Sequence, residues 1–592
     1  MDYIQAARDF IQNEKQFHLG MIPTEQSNPL TRGLSDRIAA DTAEGVRVIL
    51  AADGGIAKVA LQCFRSEAFA RLKKDIRRAV DQGRTVLFSS VGASGRMALQ
   101  LDATWRLFWT DLARRIPLRS KQFMDIAERT NSLTTGGDRA VVRSVENFED
   151  YMTFGARQIE DAGVGEGDVV VALAECGLSA SINGSAIEAD IRGCTTYYLF
   201  CNPKEILCEH LERVRAVFNR EGIIKMPLYV GNMAVSGSTR MQVTTVELLV
   251  AGAAMELAAW SWLTDNLSEQ ELAAVGKGVL TPEKYAAEFD RMIGQLGAGE
   301  ALRGIAQAVD YEADVYNNGG LITYITHDYL QDILTDTTER QPTFTLPPFR
   351  KANDTESPVS WAYAKDPLYP SDIAWQHVLR RPIKGLDWTR EDYSRMGASQ
   401  DILNKPPAVG SEELSAYPIG CEDDPSRYER SPACLVLVDI DGTSVGKAHG
   451  WYLANKQKFD AGLILRIGSI PQPPLSSCEK AEINIPVDTP HTIMELMTHL
   501  HVKLIFNLLS TATMAKIGRV WSNWMIQVLP TNKKLIDRSI RIIASIANIP
   551  YNQACEEFFK SYLGRSAKEQ YKESYVVETL RRLGMEPGKT NM

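Results

Sequence analysis

The chain has 592 residues, more than one hydrophobic core accommodates, so its length predicts about two to four domains. With 44% hydrophobic and 23% charged residues, the composition is typical of a globular protein and excludes a largely disordered chain. The net charge of -9 offers no basic field, so we expect neither a nucleic-acid partner nor a membrane partner, and a small anionic ligand would need a focused local site.

Cysteine usage and the N-terminal segment indicate the compartment. The cysteines are scattered, odd in number and without a CxxC pair, which favours reduced thiols over a disulfide framework or a zinc site. The segment "MDYIQAARDFIQNEKQF" is too charged for a secretory signal, and no apolar run approaches membrane-spanning length. We therefore predict a cytoplasmic protein without a metal or cofactor. The cysteines are Cys63, Cys176, Cys194, Cys201, Cys208, Cys421, Cys434, Cys478 and Cys555.

The first half of the chain alternates strand-like and helical patterns after a helical stretch from Asp41 to about Gln82. The strand-like segments are apolar on both faces and read "TVLFSSVG", "DVVVALAE", "TTYYLFCNP" and "MPLYVG". Such strands, separated by helices, predict a parallel sheet covered on both sides. A long helical pattern, "TRMQVTTVELLVAGAAMELAAWSWL", closes this α/β lobe near Leu263.

A second cycle with the same order of elements follows the helical stretch from Pro282 to Val309. The segments "GGLITYITHDYL", "ACLVLVDIDG" and "AGLILRIGSI" predict strands, and "MELMTHLHVKLIFNLLSTATMAKIG" predicts a long helix. We interpret the repeat as a structural duplication. The stretch from Thr345 to about Arg430 is rich in Pro, Asp and Trp, which favours an insertion or a long loop.

These patterns predict four parts of the chain. They are an N-terminal helical segment (1–50), a first α/β domain (51–265), a second α/β domain (266–500, with the insertion at about 345–430) and a helical C-terminal cap (501–592).

Two glycine-containing turns are candidate phosphate sites. In "VLFSSVGASGRMALQLD", Gly92 and Gly95 allow close approach of an anion, Ser94 offers a hydroxyl, and the following helix offers free N–H groups. The second turn, in "VALAECGLSAS", ends in Gly177 and Ser179 before another helix. Because the carboxyl ends of adjacent parallel strands meet in one crevice, both turns would face one ligand. Neither turn is a dinucleotide fingerprint or a Walker loop, and ordinary architecture can also place Gly and Ser there.

These turns and several ordered segments resemble the sugar isomerase (SIS) family. The branch they resemble contains the N-acetylmuramic acid 6-phosphate etherases and the glucokinase regulatory protein. The resemblance implies two tandem SIS domains, each α/β, flavodoxin-like and three-layered (αβα) around a parallel sheet, plus a helical C-terminal cap. The segments are "VGASGRM", "AECGLSAS", "TEQSNPLT" (Thr24 to Thr31), "GGDRAVVRSVENFED" (Gly136 to Asp150), "CNP" (Cys201 to Pro203), "SGSTRMQ" (Ser236 to Gln242) and "LLSTATMAKIGRVWSNWMIQVLPTNKKLIDRSIRII" (Leu508 to Ile543).

The resemblance also implies roles for individual residues. Two carboxylates, Glu149 and Glu339, would act as base and acid in an etherase, or contact the sugar in a regulator. Lys534 would reach the phosphate, because it matches a phosphate-contacting lysine of the family. The two turns would supply the remaining ligand contacts, from Ala93, Ser94, Glu175, Cys176, Gly177 and Ser179.

Three departures from the family pattern affect this interpretation. The first lobe carries "DATWR" where an etherase has its acid, so that lobe alone lacks the acid. In the second lobe "YITHDYLQ" replaces the Gly-Ser turn, which predicts one phosphate site per chain. Glu175 stands where the regulator has a serine, and its carboxylate would repel phosphate unless the side chain points away.

Three functions therefore stay open at the level of sequence. About 260 residues, enough for another lobe, separate "SGSTRMQ" from "LLSTATMAKIG", which favours the tandem regulator. A regulator would sense a phosphorylated sugar such as fructose 6-phosphate and control a hexokinase-type sugar kinase. The alternative is a lyase that acts on N-acetylmuramic acid 6-phosphate, with the two carboxylates as acid–base pair. A sugar-phosphate-binding protein of another pathway is a third interpretation.

Two further sequence patterns give little support for phosphatase activity or for metal binding. "LVLVDIDGT" (Leu435 to Thr443) resembles the nucleophile motif of haloacid dehalogenase-type phosphatases, but the second lobe needs a strand there, so we favour the strand. The histidines lack HExxH or HxH spacing, and lone ones such as His327 and His501 are expected to be structural or exposed.

Overall fold

The computed structural model describes residues 2–145, 148–443, 446, 448–469, 481–565 and 573–586. Within these residues the chain forms two five-stranded parallel sheets and a two-stranded antiparallel ribbon. The first sheet contains β1 (Val86–Ser90), β2 (Thr130–Thr134), β3 (Val169–Leu173), β4 (Thr195–Phe200) and β5 (Ile223–Pro227). The second contains β6 (Leu321–Ile325), β7 (Ala362–Lys365), β8 (Ala433–Ile440), β9 (Ala461–Gly468) and β10 (Glu482–Pro486). The ribbon contains β11 (Val520–Trp521) and β12 (Trp524–Met525).

Helices cover both sheets. Those that precede or accompany the first sheet are α1 (Tyr3–Asn13), α2 (Leu34–Ala40), α3 (Thr42–Ala51), α4 (Ile56–Phe64), α5 (Glu67–Asp81), α6 (Gly92–Arg115), α7 (Ser120–Ala127), α8 (Met152–Asp161), α9 (Ala180–Ile191), α10 (Lys204–His210), α11 (Glu212–Phe218) and α12 (Gln242–Asn266). Those that precede or accompany the second sheet are α13 (Glu269–Val275), α14 (Pro282–Leu296), α15 (Gly299–Asn317), α16 (Leu330–Phe344), α17 (Ser371–Leu379), α18 (Arg390–Arg395), α19 (Gln400–Asn404), α20 (Glu412–Ser415), α21 (Ala448–Asn455) and α22 (Leu496–Lys516). The C-terminal helices are α23 (Lys533–Ala547), α24 (Tyr551–Gly564) and α25 (Tyr575–Arg582).

The two sheets have the same strand order. The first sheet runs β2-β1-β3-β4-β5, the flavodoxin-like order, and the second read from its other edge runs β7-β6-β8-β9-β10. The predicted fold class is thus confirmed: two parallel α/β lobes in tandem with a helical C-terminal region. We call the units built on the first and second sheets the first lobe and the second lobe. The predicted domain boundaries stay predictions, and α22 runs through the boundary at residue 500.

The stretch from Thr345 to Arg430 is more ordered than the sequence analysis expected. It contributes β7, the edge strand of the second sheet, and helices α17 to α20. The stretch is therefore not one long loop, and its bounds as an insertion stay a prediction. Arg381, in the same stretch, reaches the first lobe and pairs with buried Asp102 and Asp138.

The long helices α12 and α22 lie in the shared hydrophobic core. Contrary to the sequence analysis, α12 is long and apolar enough to cross a membrane by length and composition, but 89% of its most apolar 18-residue window is buried within the protein. Because α12 packs against α5, α6 and α22, it serves as a core helix of the fold. Described cysteines are free, as predicted, whereas Cys478 lies outside the described residues.

Candidate functional site

A cavity of about 120 Å³ opens at the carboxyl ends of β1 and β3 in the first lobe. The two strands are paired in register, Ser90 beside Leu173, so the turns that follow them lie side by side. The second lobe contributes to the wall through α16, and the C-terminal region through α23. Six sequence-predicted site residues line this cavity: Ala93, Glu149, Glu175, Cys176, Glu339 and Lys534.

The first turn leads directly into α6, whose N-terminus faces the cavity. Gly92 adopts a left-handed backbone conformation (φ 57°) that an L side chain rarely adopts, and Ala93 follows it in the wall. A Cβ atom on Gly95 would lie 2.3 Å from the Thr134 hydroxyl, so this position requires glycine for close packing of α6 on β2. The Ser94 hydroxyl does not line the cavity, because it is buried and donates to the Glu247 carboxylate.

The second turn places Glu175 in the cavity wall with an unusual backbone. Glu175 has a φ of 57°, and its N–H donates to Glu247 Oε1 at 2.9 Å while its carboxylate accepts from Thr239. Gly177 and Ser179 lie outside the cavity wall: Gly177 packs towards Leu207, and Ser179 precedes α9. The left-handed backbone of Glu175 is uncommon for a non-glycine residue outside sites where the surrounding structure enforces it.

Glu247, which is buried, and Glu175, which is partly buried in the cavity wall, are neighbouring carboxyl groups. Burial, opposed only partly by hydrogen bonds from Thr239 and Ser94, raises the pKa of Glu175 to about 7 and that of Glu247 to about 8. The Glu175 carboxylate further raises the pKa of Glu247 through charge repulsion, and the Glu149 and Glu339 carboxylates do the same to Glu175. Both groups therefore titrate close to neutral pH.

Glu149 and Lys534 form an ion pair across the cavity mouth. Lys534 Nζ donates to Glu149 Oε1 at 2.9 Å, Asn532 donates to the same oxygen at 3.3 Å, and Ser179 donates to Oε2 at 3.3 Å. Although burial alone would lower the pKa of Lys534, the Glu149 carboxylate holds it above its usual range. Lys534 is therefore a cation at all ordinary pH values.

Glu339 enters the wall from the second lobe and contacts a buried arginine of the first. Arg96 on α6 donates to the Glu339 carboxylate, to Val141 O at 2.9 Å and to the Thr338 hydroxyl at 3.1 Å. Both side chains are almost fully buried. In this arrangement Glu339 accepts hydrogen bonds from a guanidinium that also joins the two lobes.

Three charged residues of the wall, Glu25, Arg240 and Arg538, were missed by the sequence analysis. Arg538 and Arg541 hold Glu25, whose pKa falls to about 2 because their charges and hydrogen bonds outweigh the effect of burial. Arg240 pairs with buried Asp336 at 2.7 Å. Arg240 lies in "SGSTRMQ" and Glu25 in "TEQSNPLT", so the family-like segments carried a signal for both.

The structure also bears on two further sequence patterns, the segment "LVLVDIDGT" and the histidines. Asp439 belongs to buried strand β8, which confirms the strand interpretation of "LVLVDIDGT". His501 is buried, and burial lowers its pKa to about 3, so it is structural as expected. His327 is also buried, and the fold places it beside Asp366 and His377, two neighbours that are distant from it in sequence.

Comparisons with known proteins agree with this architecture in the first lobe. Residues 68–189 match the model of the family described as "Glucokinase regulatory protein N-terminal SIS domain". An N-acetylmuramic acid 6-phosphate etherase of Aliivibrio fischeri is 30% identical over 172 residues, which cover 29% of this chain and 49% of the relative. N-acetylmuramic acid 6-phosphate etherase 1 of Bacillus licheniformis is 24% identical over 240 residues, which cover 39% of this chain and 67% of the relative.

A third curated relative matches over a short stretch only. An etherase of the same name from Staphylococcus saprophyticus is 60% identical over 52 residues, which cover 9% of this chain and 18% of the relative. The chain thus spans about half or less of the length of this relative and of the Aliivibrio fischeri one.

Among solved structures, the C-terminal domain of glucosamine-fructose-6-phosphate aminotransferase from Francisella tularensis aligns with a TM-score of 0.39 and 9% identity, covering 79% of this chain and 96% of that domain.

Proposed function

We propose that this chain, a SIS-domain protein related to the N-acetylmuramic acid 6-phosphate etherases, binds a phosphorylated sugar in the cavity and cleaves an ether bond of that sugar. The observation that carries the proposal is the meeting, in one wall, of a helix N-terminus, a lysine and the carboxyl groups of Glu149, Glu175 and Glu339. This set combines the groups that hold a phosphate with the groups that move protons.

The phosphate would bind between Lys534 and the N-terminus of α6. The free N–H groups after Gly92 and the helix dipole favour an anion there, and Lys534 adds a full positive charge. Lys534 is already paired with Glu149, so a phosphate dianion would compete with Glu149 for it. Phosphate binding would therefore release the Glu149 carboxylate for chemistry.

Cleavage of an ether by elimination needs a base that takes a proton from carbon and an acid that protonates the leaving oxygen. Glu149 suits the base, because it is an acceptor at the cavity mouth. Of the remaining carboxyl groups, Glu175 suits the acid better than Glu339: its pKa is about 7, whereas Glu339 is occupied by the Arg96 guanidinium. We therefore assign the proton donor to Glu175.

The test is incubation of the protein with N-acetylmuramic acid 6-phosphate and measurement of released lactate. We expect turnover by the wild type, a loss of at least about a hundredfold in Glu149→Gln, and a comparable loss in Glu175→Gln. Exposed Glu160 on α8 provides the matched control, and Glu160→Gln should keep full activity. Tight binding of the sugar phosphate without any lactate release would contradict the lyase while leaving the binding site intact.

A regulatory function is the second candidate, supported by the match of residues 68–189 to the regulatory-protein family and by the presence of two lobes in one chain. In that case a ligand such as fructose 6-phosphate would change the affinity for a hexokinase-type kinase, and the kinase would change the ligand affinity by the same factor. Titration of the ligand with and without a kinase measures this coupling. An unchanged ligand affinity would contradict regulation of that kinase.

A further inference from the structure

A cluster of His327, Asp366 and His377 lies in the second lobe, away from the residues that line the cavity. His327 follows β6 and Asp366 follows β7, while His377 lies in α17. In the common strand order, β6 takes the place of β1 and β7 that of β2. The cluster therefore occupies the sheet edge that carries the glycine turn in the first lobe, where "YITHDYLQ" replaces that turn.

The distances within the cluster match those between ligands of a metal ion. His327 Nδ1 lies 3.1 Å from Asp366 Oδ2, and His377 Nδ1 lies 3.6 Å from the same oxygen. Tetrahedral zinc with Zn–N and Zn–O bonds of about 2.0 Å separates its ligand atoms by about 3.3 Å. One ligand atom from each residue lies within 4.8 Å of the others.

The surroundings hold the carboxylate and the rings in place. Asp366 is fully buried, and the Leu368 N–H donates to its Oδ1 at 2.8 Å, as outer hydrogen bonds do for metal ligands. The rings of His327 and His377 stack at 4.3 Å between centroids, with Tyr369 packed against both.

Charge and access also bear on the site. Arg380 is a half-buried residue whose charge interacts with Asp328 and more weakly with Asp366, so coordination by the three ligands would have to attract a divalent ion against this positive charge. Imidazole nitrogen and carboxylate oxygen are ligands that zinc and cobalt accept. The His377 side chain keeps 15% of its surface exposed, which provides a route for an ion.

We propose that His327, Asp366 and His377 form a binding site for a divalent transition-metal ion of the zinc type. The ion would join the ends of β6 and β7 to α17. Since α17 packs on α6 of the first lobe, the site would stabilise the face between the lobes.

The experiment uses the full chain, stripped of metal with a chelator and titrated with Zn²⁺ by calorimetry and with Co²⁺ by visible absorption. We expect one ion per chain, a Co²⁺ spectrum without a thiolate charge-transfer band, and a raised melting temperature with Zn²⁺, since a native-state ligand stabilises by mass action. His377→Gln, at a partly exposed position, should abolish all three effects.

Two controls keep the test decisive. His491 is an exposed histidine paired with Glu495, and His491→Gln should bind the metal like the wild type. Asp366→Asn removes the only charged ligand, and its circular dichroism spectrum shows whether the variant is folded. Equal metal binding by wild type and His377→Gln, a thiolate band with Co²⁺, or no binding at all would overturn the proposal and leave the cluster as a hydrogen-bonded group.

Discussion

Glu175→Gln should make the protein more stable at alkaline pH. Burial raises the pKa of Glu175 from its ordinary 4.5 to about 7, so between these values the folded chain binds more protons than the unfolded chain. Stability is therefore lost as the pH rises through this window. Glutamine keeps the acceptor for the Thr239 hydroxyl but never ionises, so the variant avoids this loss.

The magnitude follows from the difference in pKa. One pKa unit corresponds to about 1.4 kcal/mol, so ionised Glu175 costs the folded state up to about 3 kcal/mol. The Glu175 side chain is only partly buried, so solvent screens part of its charge, and we expect a difference of about 1 to 3 kcal/mol in the free energy of unfolding above neutral pH. Below the ordinary pKa both side chains are neutral, and the difference should vanish.

Urea denaturation followed by tryptophan fluorescence at about pH 5 and about pH 8.5 measures the effect. Glu160→Gln is the control, because Glu160 is exposed and its replacement should change stability equally little at both pH values. A stability difference between Glu175→Gln and wild type that is the same at both pH values would refute the reasoning. So would a variant that is less stable than the wild type at alkaline pH.

The other predictions test the cavity and the lobe contacts. Lys534→Met should weaken binding of inorganic phosphate at least about tenfold in calorimetry, and unchanged affinity would exclude Lys534 as a phosphate ligand. Arg381→Ala leaves buried Asp138 without its arginine and Asp102 with Arg106 alone, and should lower the free energy of unfolding by about 3 to 5 kcal/mol, whereas a loss within experimental error would contradict this contribution. Gly155→Ala places a Cβ atom 1.7 Å from a backbone oxygen of α9 and should prevent folding; a folded variant by circular dichroism would refute the required contact of α8 and α9.

Much of the fold could be predicted from the sequence because its signals are local. Strands buried on both faces read as continuous apolar runs, as in β3, where all five residues are buried. The strand β7 could not be found this way, because it is four residues long and surrounded by Pro, Asp and Trp. Its pairing with β6 depends on the packing of the whole second lobe and not on local preference.

In the candidate site, too, some residues could be predicted from the sequence and others could not. The resemblance pointed to Ala93, Glu175 and Lys534, which the fold places in one wall. The sequence analysis could not show that the Ser94 hydroxyl turns inward, because its acceptor, Glu247, lies in an apolar helix 153 positions away. The ion pair of Arg96 with Glu339 spans 243 positions and exists only once both lobes have packed.

The site is therefore built jointly by the two lobes and the C-terminal helices. The first lobe supplies the helix N-terminus and Glu175, α16 of the second lobe supplies Glu339, and α23 supplies Lys534. A ligand that contacts these groups together binds only the packed arrangement, so its binding energy stabilises the contacts between the parts. Conversely, a change where the two lobes meet, such as loss of the ion pair between Arg96 and Glu339, should weaken ligand binding even though Arg96 does not contact the ligand. This coupling gives either function, cleavage or regulation, a physical link between the sugar phosphate and the surfaces of both lobes.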